Sequence, residues 1–154
     1  MADRAITVAA WESLFRAQVT IMRALAAEFP SDVISLNEYD VLFTITRAPD
    51  RRLRLKELNR NVLLTQPSVS RLVDRLAARE LVSKLPDPND GRGTIVAITE
   101  SGFTLFRRVA IIHMDAINRQ IGDTLSESEL RTLAALCDRL RRDIDGAQPA
   151  EAAS

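Results

Sequence analysis

Between Trp11 and Phe29 the apolar residues Trp11, Leu14, Phe15, Val19, Met22, Leu25 and Phe29 return every three or four positions. That period places them on one stripe of a long amphipathic helix. Pro30 stops it, because proline lacks the N–H and clashes with the preceding turn. A second helix is expected from Asn37 as its N-cap, with Tyr39, Leu42 and Phe43 on the inner face and Pro49 beyond its end. Residues 51–64 read as a short extended piece at Leu53 followed by a short helix over 56–62. Thr65 then has capping chemistry, and Pro67 falls in a first turn, where a missing N–H does no harm. The helix they open sets Val69, Leu72, Val73 and Leu76 at i, i+3, i+4 and i+7, a buried face. Gln66, Ser70, Arg71, Asp74 and Arg75 fall elsewhere on its circumference.

The period then changes. Two short β-prone runs, 82–85 and 94–99, flank an eight-residue segment rich in Pro, Asp, Asn and Gly. This is a hairpin with a long, projecting tip. A long helix follows over 100–121, with Phe103, Phe106, Ala110, Met114, Ile117 and Ile121 on one stripe and Gly122 at its end. Ser126 and Glu129 form an S-x-x-E capping box for a last helix bearing Leu130, Leu133, Leu136, Cys137, Leu140 and Ile144. The small, polar residues 147–154 are expected to be a disordered tail.

The expected fold class is therefore mainly α with a small β-wing. A winged helix-turn-helix DNA-binding lobe (35–99) stands between an N-terminal helix (1–34) and C-terminal helices (100–146). The terminal helices are unusually apolar for a monomer, and neither end of the chain closes a core alone. Both ends are therefore expected to be dimerisation helices of a two-fold homodimer.

Composition narrows the function classes. With 154 residues, 46% hydrophobic and 27% charged, the chain is too apolar to be mainly disordered and too short for a multidomain enzyme. Its purely apolar runs reach at most five residues, against the ~20 a membrane-spanning helix needs. With no leader pattern either, a cytoplasmic protein without a membrane partner is expected. A net charge of zero hides a basic middle. Residues 51–94 hold ten basic groups against five acidic ones, a local balance of +5, which suggests a polyanion site confined to that region. Of the 21 cations 19 are arginine, suited to bidentate contacts with phosphate and guanine.

Catalysis finds no footing. The one cysteine, Cys137, allows no internal disulfide or cysteine zinc site, and its place on an apolar stripe argues for a buried structural thiol. The one histidine, His113, has only Asp115 near it, two residues away. There is no nucleophile–base pair or phosphate loop, so no enzyme, metal or cofactor is expected. A calcium loop beginning at Asp87 fails because its twelfth position is Ile98.

The layout suits DNA reading. A helix with small polar residues outside fits the roughly 12 Å major groove, and an arginine on a wing tip reaches the adjacent minor groove. Gln66, Pro67, Ser68, Ser70 and Arg71 lie at the front of that helix, where bases and phosphates are met. Arg75 is a phosphate contact or an ion-pair partner within its helix. Arg54, Lys56 and Arg60 are phosphate contacts or a solvated face. Arg92 is the wing's DNA contact or a plain exposed loop arginine. Asp90 is its brace, since a free carboxylate beside phosphates repels them.

The pieces L-R-L-K-E-L (53–58), T-Q-P-S-V-S-R-L-V-D-R-L (65–76), L-V (81–82) and D-P-N-D-G-R-G-T-I-V-A-I-T-E-S-G (87–102) resemble the MarR-type transcriptional regulators. The resemblance covers about residues 9–145, and its most specific part is the wing signature Asp90-Gly91-Arg92. It implies that Arg92 enters the minor groove while Asp90 helps hold the wing. It implies, too, a homodimer reading a pseudo-palindromic operator in double-stranded DNA. Most such proteins are repressors, released by a small-molecule effector bound between the dimer-forming helices and the DNA-binding lobe. Here Trp11, Phe15, Tyr39, Phe43 and His113 would line that pocket, which suits a planar phenolic or carboxylated ligand; plain core packing is the other reading of the same residues. A protein-binding or architectural winged helix without sequence preference is the alternative function. The chain departs from the family at Glu80, where glycine is usual before the Leu81-Val82 pair. A left-handed backbone there would strain a non-glycine residue by roughly 1 kcal/mol or remodel the helix end.

Overall fold

The computed structural model describes residues 3–63 and 68–147. The chain divides into two compact units between Met114 and Asp115. Helix α1 (Arg4–Glu28) is capped by the Asp3 carboxylate, which accepts from the Ala5 amide at 3.0 Å. Its expected stripe is buried only towards the end, at Leu25 and at Phe29 just beyond it; Trp11 and Phe15 are 60% and 53% exposed. Helix α2 (Leu36–Arg47) starts from Ser35, not Asn37. Ser35 Oγ accepts from the Glu38 amide and Glu38 Oε2 from the Ser35 amide, at 3.1 and 3.0 Å. This reciprocal box leaves Asn37 inside the first turn, with no capping role.

A 3-10 turn (Pro49–Arg51), with Asp50 and Arg51 at φ 54° and 51°, leads into β1 (Arg52–Arg54) and α3 (Leu55–Asn61). Helix α4 (Val69–Ala78) is capped by Ser68, whose hydroxyl accepts from the Arg71 amide. Thr65, Gln66 and Pro67 lie outside the described residues, as do 148–154 of the expected tail. The Glu80 amide donates to the Ala77 carbonyl at 2.9 Å and the Leu81 amide to the Leu76 carbonyl at 3.0 Å, the two bonds of a Schellman motif. Glu80 sits at φ 57°, so the helix end is strained rather than remodelled.

Strands β2 (Val82–Asp87) and β3 (Asp90–Ile98) pair antiparallel, and β1 joins on the far side of β3, giving the order β1-β3-β2. Pairing runs through Pro86↔Thr94 to Asp87↔Asp90, so the expected eight-residue loop shrinks to Pro88 and Asn89. Pro86 is tolerated because β2 is an edge strand that needs no donor there. A bulge between Pro86 and Asp87 turns Asp87 inward.

Helix α5 (Glu100–Ile117) ends in one π-helical turn (Asn118–Gly122), where a regular helix to 121 was expected. Helix α6 (Glu127–Ala147) begins at the expected Ser126–Glu129 box, its two bonds 2.8 and 3.4 Å long. Cys137 is half-buried rather than buried.

The core of the first unit gathers Val41, Leu42 and Ile45 of α2, Leu58 of α3, Val73 and Leu76 of α4, Val96 of β3 and Val109 of α5, all fully buried. Each contributes roughly 1.5–3 kcal/mol of burial. Together they seat α4 and the hairpin on one frame.

Candidate nucleic-acid interface

Helix α4 spends Val69, Leu72, Val73 and Leu76 on the core, so Ser70, Arg71, Asp74 and Arg75 face out. These exposed groups differ in freedom. The Lys84 ammonium of β2 lies 2.8 Å from Asp74, balancing the carboxylate on the outer face. Arg75 pairs with another helix rather than its own: its Nε donates to Glu38 Oε1 at 3.1 Å. Burial raises the Glu38 pKa, but the hydrogen bonds from Ser35 and Arg75 outweigh it and leave the carboxyl below its ordinary value. Arg79 Nη2 donates to the Val33 carbonyl at 2.9 Å. Two arginines thus tie α4 to the segment that opens α2. Ser68 spends its hydroxyl on the cap.

In the hairpin Asp90 Oδ1 accepts from the Arg92 backbone N–H at 3.1 Å. The expected brace therefore acts on the backbone of Arg92 and leaves its side chain exposed. A second aspartate, unforeseen from sequence, is the buried one. Asp87, 4% exposed, accepts from the Asn89 amide at 2.9 Å on one oxygen and from Arg54 Nε on the other. The Asn89 amide, working against burial and joined by Arg54, holds this carboxyl below the usual range. A cleft of about 500 Å³ runs between α3, the front of α4 and the wing, lined among others by Arg54, Lys56, Asn59, Ser68, Ser70 and Arg92. The structure thus brings the cations Arg54, Lys56 and Arg92 and the hydroxyls of Ser68 and Ser70, from β1, α3, the start of α4 and β3, to one concave face.

The five residues assigned to a ligand pocket fall in three places. Tyr39 stacks on Phe106 at 5.4 Å and meets Phe29 and His113 edge-on at 5.4 and 5.3 Å. His113 Nδ1 is buried without a hydrogen-bond partner, and burial pushes the imidazole pKa down and the Tyr39 pKa up. Phe43 lies elsewhere, with the Arg47 guanidinium 5.5 Å from its ring, on a second cleft that Arg52 and Leu53 also line. Trp11 and Phe15 stack on each other at 5.6 Å on the exposed part of α1. Phe29 and Phe106, read from sequence only as helix stripe, complete the Tyr39 cluster. Among the described residues no group of His, Cys, Asp and Glu could hold a metal ion, and no helix is long and apolar enough to cross a membrane.

Known proteins share this layout. The MarR family model matches residues 34–93, from the entry to α2 through the wing tip. The HTH-type transcriptional regulator PecS of Dickeya dadantii is 28% identical over 134 residues, 86% of this chain and 80% of its own length. The HTH-type transcriptional repressor NicR of Pseudomonas putida is 38% identical over 69 residues, 40% of this chain and 44% of its own. The crystal structure of Sco3205, a MarR family transcriptional regulator from Streptomyces coelicolor in complex with DNA, superposes with a TM-score of 0.78 at 27% identity, covering 99% of this chain and 94% of that one. A capped helix with a polar outer face, a hairpin wing with an exposed arginine and these relatives agree: residues 34–93 match the MarR family model, and the chain has the fold of the MarR family winged helix-turn-helix transcriptional regulators it resembles.

Proposed function

We propose that the protein is a homodimeric, sequence-specific repressor that a small aromatic ligand releases from its operator. One observation carries the DNA reading: Ser70 of α4 and Arg92 of the wing open on the same concave face as Lys56. In this reading Arg71 meets a base edge, Arg92 enters the flanking minor groove, and Lys56 meets phosphate. Arg75, held by Glu38, sets the helix rather than reading the DNA.

Dimerisation is supported by apolar faces that a lone chain leaves in water. They comprise Ile6, Val8, Trp11, Leu14 and Phe15 of α1, Ile111, Ile112 and Met114 of α5, and Leu133, Leu136, Leu140 and Ile144 of α6. Exposed apolar surface on this scale marks an interface. Two recognition helices about 34 Å apart then read successive major grooves of a pseudo-palindrome.

Ligand release is supported by the Tyr39 cluster and the orphan Nδ1 of His113, a donor or acceptor waiting for a polar group. Tyr39 adjoins Glu38, and Glu38 holds Arg75. A ligand that moves Tyr39 therefore shifts the recognition helix, and only one spacing of the two helices fits DNA. Repression is the role that the name of the NicR relative carries.

The test is fluorescence anisotropy with DNA from upstream of the protein's own gene, random DNA as competitor, at two salt concentrations. Binding that survives competition is expected. Arg71→Ala should cost ~1–3 kcal/mol on the operator and little on random DNA. Equal losses on both would refute base reading, and equal affinity of the wild type for both would point to an architectural module.

A further inference from the structure

We propose that Arg54 and Asp87 are a positioning pair: joined beneath the wing, they fix the angle at which Arg92 meets DNA. The inference rests on the proposed contact of Arg92 with the minor groove. Arg54 stands where β1 passes into α3, its backbone paired with Ile95 of β3 and its amide donating to Glu57 Oε2 at 3.3 Å. Asp87 stands at the wing's bulge, just before the Pro88-Asn89 tip and three residues before the Asp90-Gly91-Arg92 signature. Their ion pair joins the α3 end of the cleft to its wing side, across 33 positions of sequence.

Three features serve this one contact. The bulge at Pro86 and Asp87 turns the carboxylate inward, where its side chain is 1% exposed. The Asn89 amide takes its second oxygen, so the same carboxylate also shapes the two-residue tip. Gly93 leaves room for it: a β-carbon there would lie 3.0 Å from Asp87 Cβ and 3.3 Å from Oδ2. A carboxylate with both oxygens engaged holds its neighbours in one geometry, and losing one bond leaves a buried polar atom unsatisfied.

Charge alone predicts the reverse. Asp87 lies beneath the cleft that approaches phosphates, and removing a negative charge there strengthens attraction to DNA. Asp87→Asn therefore separates the two ideas by sign.

The probe is a duplex enriched by the wild-type protein from a random-sequence pool. Affinities are measured for wild type, Asp87→Asn, Arg92→Ala and the double variant. Asp87→Asn should bind roughly tenfold more weakly, and the double variant less than about twofold more weakly than Arg92→Ala alone, because the arginine being positioned is already gone. Asp87→Asn binding as tightly as wild type, or a loss that adds in full to that of Arg92→Ala, would overturn the proposal. In the free proteins, amide exchange over residues 88–93 should be faster in Asp87→Asn than in wild type while α2 exchanges as before; equal exchange over the tip would overturn it as well. Arg92→Ala binding like wild type would remove the wing contact itself and the positioning pair with it. Weak Arg92→Ala beside tight Asp87→Asn would remove the pair alone.

Discussion

Replacing Glu80 by glycine should make the protein more stable. Glu80 holds φ at 57°, where a β-carbon crowds the following carbonyl at a cost of roughly 1–2 kcal/mol. Glycine removes that cost but returns about 0.4–1 kcal/mol through its extra freedom in the unfolded chain. The side chain is exposed, and the part of Glu80 that other elements use is its carbonyl, which accepts from Thr99 Oγ1 at 2.7 Å and Ser101 Oγ at 3.0 Å. Both bonds survive the substitution. The net gain is about 0–1.6 kcal/mol, or a rise in Tm of up to roughly 6 °C for a chain of this length. Urea unfolding, followed by circular dichroism at fixed protein concentration, measures it free of mass-action effects on a dimer. Glu80→Ala keeps the β-carbon and hence the strain, so it should stay within about 0.5 kcal/mol of wild type. A destabilising Glu80→Gly would refute the claim that this position stores strain.

Other substitutions probe other joints. Burial holds the His113 pKa below its unfolded value, so the unfolded chain takes up the proton first. Stability should therefore fall as pH drops below about 6.5 and level off once the folded pKa is passed; His113→Phe should show a shallower fall, and an unchanged slope would contradict the burial argument. Gly102→Ala would put a β-carbon 1.9 Å from the Leu81 carbonyl oxygen, just before β2, and should cost about 1–3 kcal/mol in urea unfolding. Leu140→Glu, on the exposed face of α6, should convert dimer to monomer in sedimentation velocity without loss of helix content.

The helices and wing were legible because their periodicities are strong and their breakers sit where elements end. The four apolar positions of α4 name its buried face without ambiguity. The start of α2 was misread although Ser35 and Glu38 spell the same S-x-x-E box that was read correctly at Ser126; an asparagine two residues on offered a competing cap. The hairpin's length escaped because proline and glycine signal a loop, whereas an edge strand needs no N–H from Pro86 and β3 runs on through Gly91 and Gly93. At the interface, the motif named Arg92 and Asp90. Arg54–Asp87 and Glu38–Arg75 join residues 33 and 37 positions apart, and only the packing of elements brings such partners together. The pocket residues were named from the place that the family resemblance gives such a pocket. Their division into three places follows from which helix face each occupies.

Hydroxyl-radical footprinting of the enriched duplex tests the central claim most directly. A dimer with its α4 helices in successive major grooves and its wings outside them should protect two symmetric blocks, with an outer minor-groove edge to each, about one helical turn between the block centres. Arg92→Ala should lose the outer edges and keep the inner protection. A single asymmetric block, or outer edges that persist in Arg92→Ala, would contradict the account.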